Sequence, residues 1–414
     1  MAVALASSSP RRSMREWAWR GGLAIGALAL GYYSSTQTLA FALSKSAAER
    51  AYTLFPGDGR IAGEVAGQLL AGNPNANQRA RAARIAAQAL ADEPLNAKAL
   101  AVLAMNTQLE NKTPQARRLF IHSDALSRRE LVTRLWLIED AVARENIPEA
   151  LRQYDIALRT SRGASDILFP VLASAIADPA VAKALGNTLS TRPPWSEAFF
   201  NFLPSSKAAP YISAQFFARL ADRGVSVPDY AQMTIVDALV SAGKLEEGWN
   251  YYASLRKGAF RNRSRDPRFS AQLTTPSTFD WMPMTSVDGV SASIQSMREG
   301  GIFEFAVPPT VGGVVLQQSQ VLPAGRYRLE GISDRIEQVK DARPYWQVAC
   351  SEGHEAGRVE LPNSNENDGR FSGEITVGAN CPFQRLRLVV RPSSEIGGAA
   401  GQIRFVQLIP LGRN

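Results

Sequence analysis

The alanines in the middle of this 414-residue chain keep a fixed period: Ala48, Ala82, Ala116 and Ala150 stand 34 residues apart. Four residues after each come Tyr52, Ala86, Phe120 and Tyr154, and seven after come Phe55, Ala89, Ser123 and Ala157. Pro114 and Pro148 share the spacing and sit just ahead of their alanines, where proline opens a helix without losing a needed N–H. A helix with this small-x3-aromatic-x2-small face needs a partner helix at close range. Stacked pairs then bury a core between neighbours and form a one-dimensional array. The period predicts four degenerate pairs over about 45–165, with its residues on the second helix of each pair.

This pattern resembles that of tetratricopeptide-repeat proteins. Leu100, Leu103 and Ala104 fill the first-helix positions of the third unit, while in the fourth Arg134 replaces the large residue and Leu137 stays in place. A further pair is expected around Gln232–Leu255, where Gly248 and Tyr252 repeat the small-x3-aromatic signal. Between them, 165–230 reads as helices broken by Pro170, Pro193, Pro194, Pro204 and Pro210. The helical domain is therefore placed at 44–258. The alternative is an alanine-rich helical array with accidental spacing. The resemblance implies a concave groove for protein partners and no catalysis, an inference from fold alone.

Ahead of the array, Arg11, Arg12, Arg15 and Arg20 precede the apolar run GGLAIGALALGYYSSTQTLAFAL at 21–43, and Lys45 is the first basic residue after it. The bias of basic residues leaves a cytoplasmic stub at 1–20 and sends the rest across a membrane. The strongly apolar part, Gly21 to Tyr33, has the length of a signal h-region, and Ala40-Phe41-Ala42 reads as a cleavage site. The first repeat, however, needs a partner helix within 29–43, and cleavage would remove it. The expectation is an uncleaved transmembrane signal anchor at 21–43, with its serine and threonine hydroxyls bonded back to helix carbonyls.

From about Ser264 the texture changes to short alternating strands: 302–307, 327–330, 345–350, 384–390 and 402–408. Strands separated by Pro, Gly and Asn turns predict an antiparallel β-sandwich over 264–414, behind a basic linker at 259–275. Alternation puts Trp346, Val348 and Cys350 on one side and Leu386, Leu388 and Val390 on the other strand's inner side. Trp281 and Trp346 are read as core. Cys350 and Cys381, the chain's two cysteines, end one strand and begin another. They can pair if those strands adjoin, and outside a reducing compartment the disulfide would persist.

The segments RDPRFSAQLTTPSTFDW at 265–281, LPAGRYRLEG at 322–331, WQVAC at 346–350, CPFQRLRL at 381–388 and GQIRFVQL at 401–408 carry a second resemblance. They resemble the jelly-roll carbohydrate-binding modules found at the C-terminus of membrane-anchored tetratricopeptide-repeat proteins linked to bacterial exopolysaccharide synthesis. In the opening stretch Asp266-Pro267-Arg268 stands for the family's acidic turn and Ser270 for its acidic residue, a departure that puts a structural calcium in doubt. Tyr345, Gln347, Arg385 and Arg387 fall on the outward side of the two strands and are the candidate sugar-binding residues. The arginines are suited to uronates or other acidic sugar groups. The alternative is an ordinary solvated outer face.

Lys+Arg exceed Asp+Glu by 8, a mild tilt with no nucleic-acid motif behind it. With two cysteines and two histidines, no four-ligand zinc spacing can be drawn, and HExxH, GxSxG and Walker patterns are missing. The expected function is a non-enzymatic, cofactor-free accessory protein or scaffold for exopolysaccharide assembly or export. It would sit in the bacterial inner membrane by a single pass, with its bulk in the periplasm. Its expected partners are proteins of that assembly and an acidic polysaccharide. Two other readings stand: a glycan-active hydrolase with a carboxylate pair distant in sequence, and a pure protein-interaction scaffold without sugar binding.

Overall fold

The computed structural model describes residues 14–286, 288–297, 300–351, 353–394 and 396–412. Arg11 and Arg12 of the basic stub lie outside them. The chain divides into two compact units, Met1–Leu168 and Phe169–Asn414.

Among the described residues the regular elements of the first unit are helices: α1 (Met14–Leu43), α2 (Ala48–Leu54), α3 (Gly59–Leu70), α4 (Ala76–Asp92), α5 (Ala97–Leu109), α6 (Thr113–Leu126), α7 (Leu131–Ala143) and α8 (Ile147–Thr160). Consecutive helices pair as α3/α4, α5/α6 and α7/α8, in the phase the period predicts. Ala48, Ala82, Ala116 and Ala150 are all buried on second helices, as are Ala86, Phe120, Tyr154, Ala89, Ser123 and Ala157, while Tyr52 is half-buried. The helix starts follow from local chemistry. Asp58 accepts hydrogen bonds from Arg60 and Ile61, Asn75 and Gln78 form a reciprocal capping box, and Asn146 caps α8. Asn96 caps α5 through its Oδ1 and donates from its Nδ2 to the Gly59 carbonyl at 2.7 Å, tying one pair to the next.

The C-terminal part of α1 is the partner of α2. Ala40 is fully buried with Ala51 and Ile61, and Tyr33 meets Phe55 edge-on at 5.2 Å. As expected, Thr36 and Thr38 donate back to the carbonyls of Tyr32 and Ser34. Among the described residues, however, no helix is both long and apolar enough to cross a membrane. α1 has the length, at 30 residues. Arg15, Glu16 and Arg20 stand at its start, and the polar run Ser34–Thr38 interrupts the apolar residues of 21–43. The segment 21–43 is thus part of one longer helix that continues into the repeat packing.

The helix α9 (Ala164–Ala175) begins in the first unit and ends in the second. The second unit continues through α10 (Pro179–Ser190), α11 (Ser196–Phe202), α12 (Pro210–Ala221), α13 (Asp229–Ser241) and α14 (Leu245–Leu255). Its division from the first unit therefore falls well before the change of texture near Ser264. The expected pair within 232–255 is α13/α14, where Gly248 lets the helices close on Val240 and Tyr252 is fully buried. Tyr252 donates to Asp280 at 2.7 Å and, with Trp249, rings Phe279. Of the six cations between Arg256 and Arg268, three are paired: Arg256 with Asp229, Arg261 with Glu246 and Arg265 with Asp280.

Among the described residues ten strands follow, all paired antiparallel: β1 (Met282–Pro283), β2 (Ser291–Met297), β3 (Gly300–Val307), β4 (Gly313–Gln320), β5 (Gly325–Asp334), β6 (Tyr345–Cys350), β7 (Glu355–Glu360), β8 (Arg370–Val377), β9 (Gln384–Val390) and β10 (Ala399–Pro410). They form two five-stranded sheets, β1-β4-β9-β6-β7 and β2-β3-β10-β5-β8. The inner faces enclose one core that includes Trp281, Phe303, Trp346, Leu386, Leu388 and Ile403. Trp281 and Trp346 meet edge-on at 5.8 Å, so both are core as expected. Gly331 sits where β5 passes the bulge of β10, and a Cβ there would strike Phe371 and the Phe405 carbonyl.

Candidate functional site

The outward face of the first sheet carries the residues singled out by alternation. β6 and β9 adjoin, with Tyr345 opposite Val389, Gln347 opposite Arg387, and Ala349 opposite Arg385. Register on the other flanks extends one row as Gln317–Arg387–Gln347–Arg358 across β4, β9, β6 and β7. Leu386, Leu388 and Val390 point into the core and leave both arginines half-buried on the outside.

The charges on this face are not matched evenly. Arg358 binds Glu355 through two bonds of 2.9 and 2.8 Å, and Arg391 binds Glu360 through two of 2.7 Å. These carboxylates hold both guanidiniums more firmly protonated, and the Arg358 pair pulls Glu355 below its ordinary range. Gln347 also donates to Glu355, at 2.7 Å. Arg385 and Arg387 have no carboxylate partner among the described residues. Arg385 lies over the Phe383 ring at 5.6 Å, and the buried Nε of Arg387 finds no acceptor among the described residues. Burial, then the neighbouring charge of Arg385, push the Arg387 guanidinium downward in pKa.

Tyr345, one of the candidate sugar-binding residues, does not present a bare ring. Its ring already carries Arg358 at 4.1 Å and Arg391 at 4.4 Å, so arginines occupy the surface a sugar would stack on. A cleft of about 620 Å³ adjoins Arg385 instead, between the α13–α14 turn and the strand ends. Arg385, Gln317, Phe383 and Met282 line one side, and Asp237 and Leu245 the other. Asp237 accepts from the Thr278 N–H at 2.8 Å, and burial pushes its carboxyl above the ordinary range despite that bond. These cleft residues come from helix, loop and sheet, and periodicity within any one element could not have found them.

The two cysteines do meet, as a Cys350–Cys381 disulfide with a Cα–Cα distance of 5.3 Å. Asp266, which stands in the doubtful calcium turn, spends its carboxylate on Ser270 and Ala271: Oδ1 accepts at 2.7 Å and Oδ2 at 2.9 Å.

The repeat unit has a groove of its own, about 420 Å³, floored by first helices α3, α5 and α7. Leu70, Val102, Met105, Val132 and Trp136 give it an apolar floor, and Lys98, Glu130 and Glu139 its charged rim. Lys98 is neutralised by Glu64 at 2.6 Å. Burial raises the Glu130 carboxyl, against the opposing pull of Lys98. Behind the floor, Phe120 stacks on Trp136 at 4.4 Å. Arg134 is buried and pairs with Asp124 and Gln153, which explains how a cation fits where the repeat wants a large apolar residue.

No family model and no curated protein matches the chain. Among solved structures, the tailspike protein 4 enzymatically active domain of bacteriophage CBA120 aligns at 14% identity and TM-score 0.24 over 33% of this chain, which spans only 20% of the tailspike's length. YrrB, a TPR protein with an unusual peptide-binding site, aligns at 14% identity and TM-score 0.29, over 50% of this chain and 97% of its own. The family 11 carbohydrate-binding module of cellulosomal cellulase Lic26A-Cel5E of Clostridium thermocellum aligns at 10% identity and TM-score 0.24, over 38% and 99%. This chain is similar to each of these over part of its backbone fold.

Proposed function

We propose that this protein is a non-enzymatic scaffold that holds an acidic glycan on its sandwich and a protein segment in its repeat groove. The observation that carries the reading is the pair Arg385 and Arg387. They lie on one face of one strand with no carboxylate partner among the described residues, on a sheet where Arg358 and Arg391 are each bound twice. Two like charges side by side and half-buried repel each other, and an anion bound between them would relieve that cost. Guanidinium forks suit carboxylates bidentately, Gln317 and Gln347 flank them in register, and the adjoining cleft has the volume of a small-ligand site. A uronate-bearing polysaccharide fits this chemistry better than a neutral one, because the open surface offers cations and amides rather than a bare ring.

The groove of the first unit suits a protein segment that presents apolar side chains flanked by basic ones. Its floor is apolar, and once Lys98 is spent on Glu64 its rim is acidic. Within this proposal the chain serves polysaccharide assembly or export at a bacterial inner membrane, with the weakly apolar segment 21–43 retained uncleaved as its anchor although it falls short of an ordinary span, and with both sites on the outer side. The packing of Ala40 and Tyr33 against α2 supports retention, because cleavage at Ala42 would strip α2 of its partner. N-terminal sequencing of the membrane fraction should find a start ahead of Gly21, and a mature start near Leu43 would defeat the anchor.

The glycan site is tested by titrating the full chain with polygalacturonate and with a neutral glucan at fixed ionic strength. Binding of the first and not the second is expected, with Arg387→Gln weakening it about tenfold or more, in line with loss of one charge-assisted contact. Equal retention of both polymers, or an unchanged Arg385→Gln/Arg387→Gln double variant, would overturn the assignment.

A further inference from the structure

Cys350, His354 and Cys381 converge at one corner of the sandwich, their ligand atoms all within 4.8 Å of one another. Two loops bring them there. The turn after β6 closes on itself, with the Gly353 N–H donating to the Cys350 carbonyl at 3.0 Å and the Cys350 N–H to the His354 carbonyl at 2.9 Å. Gly353 takes a φ of 89° in that turn, and the imidazole is returned to the side of Cys350. Cys381 comes from the β8–β9 loop, fixed by its N–H to the Gly378 carbonyl at 3.1 Å. The cysteines are buried and His354 is exposed, so the cluster is walled on the core side and open to solvent on the other.

Sulfur and imidazole in this arrangement are the donors of a borderline-soft divalent ion. Bond lengths of about 2.3 Å to sulfur and 2.0–2.1 Å to nitrogen separate neighbouring donors of a tetrahedral site by roughly 3.5–3.8 Å. In the oxidised form the two sulfurs are bonded and all three donors lie within 4.8 Å of one another, so after reduction the sulfurs need only part to reach that spacing. Conversion from the crosslink takes two electrons and two protons from a dithiol, which itself becomes a disulfide, and gives two thiols. The ion then displaces both thiol protons to solvent and accepts two thiolates and one neutral imidazole. We propose that the reduced protein binds one zinc-class divalent ion through Cys350, His354 and Cys381, so that disulfide and metal are alternative crosslinks of the same two loops. The fourth position faces solvent. The sequence conceals the site because its third donor is 27 residues from His354.

The chain's composition makes the test clean, since it holds two cysteines and two histidines in all. The full chain is reduced with a phosphine, exchanged into anaerobic buffer and titrated with Co(II), whose sulfur charge-transfer absorption reports thiolate ligation. One equivalent should bind to the reduced chain and none to the oxidised chain. His354→Ala, an exposed change that leaves the sandwich intact by circular dichroism, should weaken Co(II) binding at least about tenfold, because even outer-shell partners of a metal carry that much. His122→Ala, in the other unit, should not. No charge-transfer band in the reduced chain, or an affinity indifferent to His354→Ala, would overturn the site. Neither result bears on glycan retention.

Discussion

Single side chains decide more in this molecule than their number suggests. Phe120 is fully buried against Trp136, and cutting it to alanine removes both the stack and the plug between helix pairs. Phe120→Ala should cost about 3–4 kcal/mol, as large-to-small changes in cores do, read as a lower urea midpoint for the repeat unit. Asp237 gives a prediction of opposite sign. Burial holds its carboxyl above the ordinary range. A carboxyl so raised adds stability while protonated, below its unfolded value, and that contribution is lost as pH rises through the folded pKa. Asn keeps an oxygen for the Thr278 N–H and carries no charge. Asp237→Asn should therefore melt above the wild type at pH 7, with the gap closing below about pH 4, where the unfolded carboxyl protonates. A wild-type protein more stable than the variant at pH 7 would show that the charge is used, for example by a ligand in the cleft.

At the scale of elements, the disulfide joins residues 31 apart, and such a closure contributes about 3–4 kcal/mol in the chain-entropy view. Reduction, or Cys381→Ser, should lower the melting temperature of the sandwich and leave the repeat helices unchanged by hydrogen exchange. What could be read beforehand follows from the same elements. The second helices of the repeats were legible because Ala48, Ala82, Ala116 and Ala150 keep register, and β6 and β9 because their alternation is strict. Five further strands were not. β2, β4, β7 and β8 are polar or glycine-bearing, as in SASIQSM or EAGRVE, and β1 is two residues long. The helices α9 to α12 lost their register to prolines, though Phe169, Trp195, Phe199 and Phe202 build an aromatic cluster there that no fixed spacing announces. Arg385 and Arg387 were legible as outward residues. That Tyr345 would be covered was not, because one of its two arginines, Arg391, arrives from 46 residues further along the chain.

For the molecule as a whole, the proposed groove partner has a pH signature. Glu130 holds its proton to higher pH than an ordinary glutamate, since burial outweighs Lys98. A basic partner favours the ionised form, so affinity for a peptide of alternating leucine and lysine should fall as pH drops through that raised pKa, and Glu130→Gln should flatten the dependence. Fluorescence anisotropy across pH 4–8 reads both, and a slope unchanged in the variant would remove Glu130 from the rim's role. The two units also differ in what their topology demands of synthesis. Each repeat helix leans chiefly on its chain neighbours, so pairs can close as they leave the ribosome. The second sheet cannot. Its middle strand is β10, flanked by β3 and β5, so Gly401 must find Phe305 across nearly a hundred residues already made. Until β10 emerges, β3 and β5 each stand with a bare edge, which is a hazard for mispairing between nascent chains. Such a protein would gain from a holding chaperone, or from export before folding, for the interval between the synthesis of β3 and that of β10.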